Sequence, residues 1–231
     1  MGYAIAAPAQ AVVPIDATSE LFPVHRIYCV GRNYADHAKE MGFSGREPPF
    51  FFAKPADAVL AVAFGATGEM PYPGSTSNLH HEIELVVAIG RAGRDIAQAD
   101  AAKHIWGYAV GLDMTRRDLQ FALRDAGRPW DVAKGFDYSA PISPLKPIVS
   151  TGEIFSGAIW LEVNGQKRQS SDISKLMWNV NETIEHLSRY YTLVPGDLIF
   201  TGTPEGVGAV KAGDLMSGGI AGIGTLQVRV V

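Results

Sequence analysis

Two glutamates one residue apart, Glu82 and Glu84 in HHEIEL, open a continuous aliphatic run. In a strand, the period of two sets both carboxylates on one face and Ile83 and Leu85 on the other. Two like charges entering an apolar core repel each other, and a hard cation is the usual remedy. On this pair alone a solvated strand face is the commoner arrangement, because glutamate is rarely buried. A third acid is needed, and Asp113 offers it where the apolar run WGYAVGLD ends and the helical pattern TRRDLQ begins. A plain helix N-cap is the rival role for Asp113, since aspartate is among the best caps. Arg117 and Gln120 follow Asp113 by four and seven residues, so a helix starting there puts all three on one edge. An acid, a bidentate anion clamp and an amide facing one way suit carboxylate binding beside a metal. Taken alone, Arg117 is a surface residue paired with a neighbouring acid.

A second constellation is His37 and Glu40 in YADHAKEMG. Helical spacing of three joins an imidazole to a carboxylate, which suits a base whose tautomer is set by an acid; an exposed i,i+3 pair is the plain alternative. Lys134 in PWDVAKGF and Lys54 in FFFAKP lie beside aromatic residues, as snorkelling surface chains or as anion anchors. The glycine-rich TGTPEGVG lacks both the Walker lysine spacing and the GxGxxG order, so it is a tight turn whose amides face a ligand rather than a nucleotide loop.

These residues need elements to hold them. RIYCVG is a strand closed by Gly31, and NYADHAKEMG a short helix with Asn33 as cap and Gly42 as stop. Pro48, Pro49 and Pro55 exclude helix from the next segment and leave an extended edge with an aromatic cluster. DIAQADAAKHI is a helix and WGYAVGLDM a strand; TRRDLQFALRDAG is a helix with Leu119, Phe121 and Ala122 on its period. AIWLEVNG forms a hairpin with the KRQ that follows, and DLIFTGTP and LQVRVV are strands. WNVNETIEHLSRYY is a helix with its apolar face at Val180, Ile184, Leu187 and Tyr191. Strands outnumber helices without alternating with them, so the pattern implies a strand-rich α+β domain and not a doubly wound sheet.

Composition narrows the function. The formal charge of −4 comes with no basic run, which excludes the electrostatic footprint that nucleic acid or an anionic membrane requires. A small-molecule ligand is the default. The single cysteine, Cys29 in IYCVG, is a small core hydrophobe, no intrachain disulfide can form, and a reducing compartment follows. Without a signal-peptide pattern or a membrane-length apolar run, the expected location is the cytoplasm. Residues 1–24, rich in Ala, Pro and Val, are expected to be an arm lying on the surface or on a neighbouring subunit, with the domain proper at 25–231.

In order along the chain, CVGRNYADHAKEMG, the KPADA segment, HHEIELVVAIG, GYAVGLDMTRRDLQ, GRPWDVAKGFD and PGDLIFTGTPEGVG resemble the successive motifs of the fumarylacetoacetate hydrolase family, from about Arg26 to the C-terminus. The chain looks closest to its short acylpyruvase and fumarylpyruvate hydrolase branch. The resemblance implies a mixed β-sandwich roll, a homodimer, and Mg2+ (or Mn2+) held by Glu82, Glu84 and Asp113. It implies a lid helix carrying His37 and Glu40, active-site positions at Arg117, Gln120 and Lys134, and a substrate-binding turn at Thr203. Arg32, Tyr34 and Lys54 receive a binding role. The implied reaction is hydrolysis of the C3–C4 bond of a 2,4-dioxo acid, with His37 activating water, Glu40 orienting it, and Lys134 beside the metal stabilising the oxyanion. The rivals are oxaloacetate decarboxylation or dienoate isomerisation in the same site, and a noncatalytic binding protein of the same fold.

Overall fold

The computed structural model describes residues 2–35 and 47–231; the expected lid helix, with His37 and Glu40, falls almost entirely outside the described residues. The strand Ile83–Ile89 lies in an eight-stranded mixed sheet, and all seven of its residues are buried. It pairs antiparallel with Ile105–Leu112 on one side and Leu198–Phe200 on the other. Beyond Leu198–Phe200 come Ile27–Gly31, paired parallel, and Phe50–Lys54 at the edge. Beyond Ile105–Leu112 come Ala140–Ile142 and Val59–Ala61, with Lys146–Pro147 also on the flank of Ile105–Leu112. The proline-flanked segment thus supplies an edge strand, bounded by Pro49 and Pro55.

A continuous apolar strand needs cover on both faces. Ile83, Leu85, Val87 and Ile89 pack against a second, five-stranded sheet through Ile159, Leu161 and Val228, and against the helix Val180–Tyr190 through Ile184 and Leu187. Val86 and Ala88 face the other way, onto Ile27, Cys29, Ile142 and Phe200. Each such side chain, fully buried, contributes about 1.5–3 kcal/mol. The second sheet runs Gln166–Asp172, Ala158–Val163, Leu215–Ile220, Gly224–Val230 and Gly68–Met70. Its first hairpin turns at Asn164 and Gly165, both with positive φ (51° and 74°), as an Asn-Gly hairpin requires. The strand-rich α+β domain expected from the pattern is therefore what the chain forms, with the packed sheets that the resemblance implied.

Four local expectations are corrected. The segment before residue 25 is not only an arm: Val12–Pro14 and Leu21–Pro23 form a hairpin, and Val13, Phe22 and Val24 are buried in the Cys29 side of the core. Its low period hid two short strands, each with one inward residue. The helix expected over 95–105 is a 3-10 helix confined to Gln98–His104. The helix Arg117–Asp125 turns inside out: Arg117 and Gln120 are buried while Phe121 is exposed, because the polar edge faces a charged site that the sequence period does not disclose. In Val180–Tyr190 the capping box of Asn179 and Glu182 sets the start and Val180, Ile184 and Leu187 face inward, but Tyr191, just past the end, is exposed.

Candidate active site

Glu84 points from the strand Ile83–Ile89 on the face opposite Ile83 and Leu85, and Glu82 precedes that strand at its junction with Leu79–His81. Asp113 follows Leu112 directly, and its N–H donates to the Glu82 carbonyl at 2.8 Å, which fixes the two acids side by side. One oxygen from each of Glu82, Glu84 and Asp113 lies within 4.8 Å of the others, and all three residues are buried. Burial, then the charges of Asp113 and Glu82, hold the Glu84 carboxyl well above the usual carboxylate range. Asp113 is not a helix cap: the helix starts at Arg117, and Asp113 sits outside it, facing two lysines.

Those lysines are buried too, at 2% exposure each. Lys134 Nζ donates to Glu82 Oε2, Asp113 Oδ2 and Thr115 Oγ1, each at 2.7 Å. Burial opposes its ammonium, yet the charges of Asp113 and Glu82 outweigh burial and raise its pKa. Lys54 Nζ lies 2.7 Å from Asp113 Oδ1 and also donates to the carbonyls of Met114 and Lys134. Arg117 donates from Nη2 to Glu82 Oε1 and from Nη1 to Gln120 Oε1. Its Nε approaches Nδ1 of His80, whose pKa is lowered to about 4 by burial and then by Arg117, so this imidazole is neutral at pH 7. Glu82 and Asp113 are thus paired with three cations, the arrangement that makes buried charge tolerable.

The acids open into a cleft. Its polar end holds Glu82, Glu84, Asp113, Arg117, Gln120 and Lys134; its apolar wall is Phe50, Phe52 and Trp130, with Arg32 and Thr203 also on the lining. Trp130 meets Phe50 and Phe52 edge-on at 5.5 and 5.8 Å, and the Arg32 guanidinium lies 5.2 Å over the Phe50 ring. Of the expected binding residues, Tyr34 and Lys54 are not on this lining: Lys54 reaches the site through Asp113 and the Lys134 carbonyl, and the Tyr34 ring is in the main core. Sequence reasoning missed Thr115, Trp130 and Gln169. Trp130 was visible four residues before Lys134, a helical turn away. Thr115 and Gln169 had no signal of their own.

Residues 26–231 match the fumarylacetoacetate (FAA) hydrolase C-terminal family. The chain belongs to the fumarylacetoacetate hydrolase family. Within this family it is 50% identical to fumarylpyruvate hydrolase of a Ralstonia species over 184 residues, 80% of this chain and 93% of that protein. It is 43% identical to the mitochondrial oxaloacetate tautomerase of Arabidopsis thaliana over 205 residues, 89% of this chain and 90% of that one. The crystal structure of fumarylpyruvate hydrolase from Pseudomonas aeruginosa in complex with Mn2+ and pyruvate superposes with a TM-score of 0.98 at 57% identity, covering 100% of this chain and 99% of the other. These two sequence relatives are named for different reactions.

Proposed function

We propose that the protein is a divalent-metal-dependent hydrolase that cleaves the C3–C4 bond of a 2,4-dioxo acid, converting fumarylpyruvate to fumarate and pyruvate. The observation that carries the reading is the trio of buried carboxylates, within 4.8 Å of one another, at the end of an aromatic-walled cleft. Similarity to fumarylpyruvate hydrolases, one of them crystallised with Mn2+ and pyruvate, supports the substrate.

An oxygen-only donor set on paired strands fits a hard dication, Mg2+ or Mn2+, held by Glu82, Glu84 and Asp113. When bound, such an ion polarises a 2-oxo carbonyl as a Lewis acid. The remaining work falls to side chains. Arg117, oriented by Gln120, takes the C1 carboxylate as a bidentate donor. Lys134, kept charged by its acidic neighbours, supplies positive charge beside the oxyanion that develops as the bond breaks. His37, oriented by Glu40, removes a proton from water, and the hydroxide adds to the C4 carbonyl. The C3–C4 electron pair leaves on C3, which is protonated to give pyruvate, while C4 becomes the new carboxylate of fumarate. Thr203 and Arg32 line the remaining length of substrate; Lys54 and Tyr34 act on binding from behind, Lys54 through Asp113.

The second reading, favoured by the 43% identical oxaloacetate tautomerase, is keto–enol or decarboxylation chemistry on oxaloacetate in the same site. A coupled pyruvate assay with fumarylpyruvate, acetylpyruvate and oxaloacetate, run beside the ultraviolet absorbance of enol-oxaloacetate, decides between them. The expected order puts fumarylpyruvate first in kcat/KM, with turnover lost on chelation; a preference for oxaloacetate overturns the hydrolase reading. We further place catalysis in residues 25–231, with 1–24 as an accessory arm, and the enzyme in the cytoplasm as a homodimer serving aromatic-compound catabolism. The start of the family match at residue 26 supports the division. Among the described residues no helix is long and apolar enough to cross a membrane. Light scattering tests the dimer.

A further inference from the structure

We propose that Gln169, from the second sheet, is a positioning residue that sets the spacing of Glu82 and Glu84 and fastens Thr203 to them; this rests on the reading that these acids hold a divalent cation.

The need for such a residue follows from where a strand ends. Leu198–Phe200 pairs with Val86–Ala88, and Thr201 still donates its N–H to the Leu85 carbonyl at 3.0 Å. In a strand, alternate residues direct their backbone groups to the same side. The N–H and C=O of Ile83 therefore face the flank that Leu198–Phe200 no longer covers, and buried backbone groups must find partners. Ile83 is the residue between the two glutamates.

Side chains take over the pairing. The Ile83 N–H donates to Gln169 Oε1 at 3.1 Å, Gln169 Nε2 donates to Thr203 Oγ1 at 2.8 Å, and Thr203 Oγ1 donates to the Ile83 carbonyl at 2.8 Å. These three bonds close a ring on the backbone of one residue, joining the two peptide units that flank it. The second Nε2 hydrogen goes to the Pro204 carbonyl at 2.8 Å, and Nδ1 of His81 lies 3.0 Å from Oε1. The amide cannot be the other way round, because a backbone N–H needs an oxygen and a carbonyl needs an N–H. The same logic makes His81 carry its proton on Nδ1. Gln169 has no exposed surface, although its strand neighbours Arg168 and Ser170 are exposed, so one inward side chain grips the residue between the two acids, His81 just before them, and the Thr203 turn together.

The test is Mn2+ titration by calorimetry, without substrate, alongside thermal melts and steady-state kinetics of the full chain. Gln169→Leu is expected to weaken Mn2+ binding about tenfold or more, the usual consequence of removing a side chain that orients metal ligands, and to raise KM more than it lowers kcat. A purely structural role would lower Tm and leave Mn2+ affinity alone, and affinity within twofold of the parent in a folded variant overturns the proposal. If Gln169→Leu does not fold, Thr203→Ser and Thr203→Val pose the same question. Serine closes the ring and should bind Mn2+ like the parent, valine opens it and should bind about tenfold more weakly, and equal affinity in both overturns it. Failure of the parent itself to bind Mn2+ removes the metal reading and this inference together, whereas normal parent binding with indifferent variants removes only the inference.

Discussion

The backbone N–H of Gly202 donates to Glu84 Oε2 at 2.8 Å, tying the turn after Leu198–Phe200 to a buried glutamate. Gly202 has φ of 100°, and a Cβ there would stand 2.7 Å from the Asn33 Cβ. Asn33 has no slack to give, since its amide donates to the carbonyls of Trp178 and Thr201. Gly202→Ala should therefore move the turn, lose the bond to Glu84, and destabilise the protein by about 1–3 kcal/mol. Denaturant unfolding would measure the loss and Mn2+ titration the weakened site; unchanged values in both would show that the turn is passive.

Lys134 makes a different prediction because it neutralises two acids at once. Removing one partner of a buried ion pair leaves uncompensated charge and costs about 3–5 kcal/mol. Lys134→Met should lower the melting temperature of metal-free protein sharply, while added Mn2+ recovers more stability than it gives the parent, since repulsion among the acids is what the cation relieves. Turnover should fall by at least about a hundredfold for loss of the positive charge beside the oxyanion. A metal-induced stabilisation no larger than the parent's would show that Lys134 does not balance the acids.

How far the sequence disclosed this site depended on the distance between cooperating residues. Glu82 and Glu84 were legible because a period of two and an aliphatic continuation suffice to place them. Asp113 was legible as an acid at a strand end, but the argument that put it on one helix edge with Arg117 and Gln120 was wrong: the helix begins at Arg117, and the residues converge from two elements. Gln169 was illegible. In QKRQSSD every residue is polar, so the pattern describes a solvated hairpin strand, and only the packing against Ile83, 86 positions away, turns that one amide inward. The inverted helix failed for the same reason. Apolar period predicts a buried face only when the neighbour is apolar, and here the neighbour is Glu82.

Arg32 bears on which substrate is preferred. It lines the cleft beside Phe50 on the apolar wall, whereas Arg117 lies among the acids. A dioxo acid with a second carboxylate at its far end would meet Arg32 after Arg117 has taken the first. Arg32→Leu should raise KM for fumarylpyruvate by about tenfold or more, the value of a hydrogen-bonded charge, and leave KM for acetylpyruvate, which lacks that carboxylate, within about twofold. Parallel changes for both substrates would assign Arg32 to general folding of the cleft.

The N-terminal hairpin gives a prediction with the opposite signature. Phe22 packs its ring 5.3 Å from Trp106, near the start of Ile105–Leu112, while Asp113 follows the far end of that strand. Seven residues of strand separate them by about 23 Å, far enough for effects to be independent. Phe22→Ala opens a cavity in the core shared with Val13 and Val24 and should cost about 3–5 kcal/mol. Mn2+ affinity and KM should stay at parental values at temperatures where the variant is folded. If the variant is as stable as the parent, the hairpin is an appendage, and the core must be taken to close without it; if metal affinity falls along with stability, the long strand transmits strain to Asp113 and the two ends of the sheet are not separable.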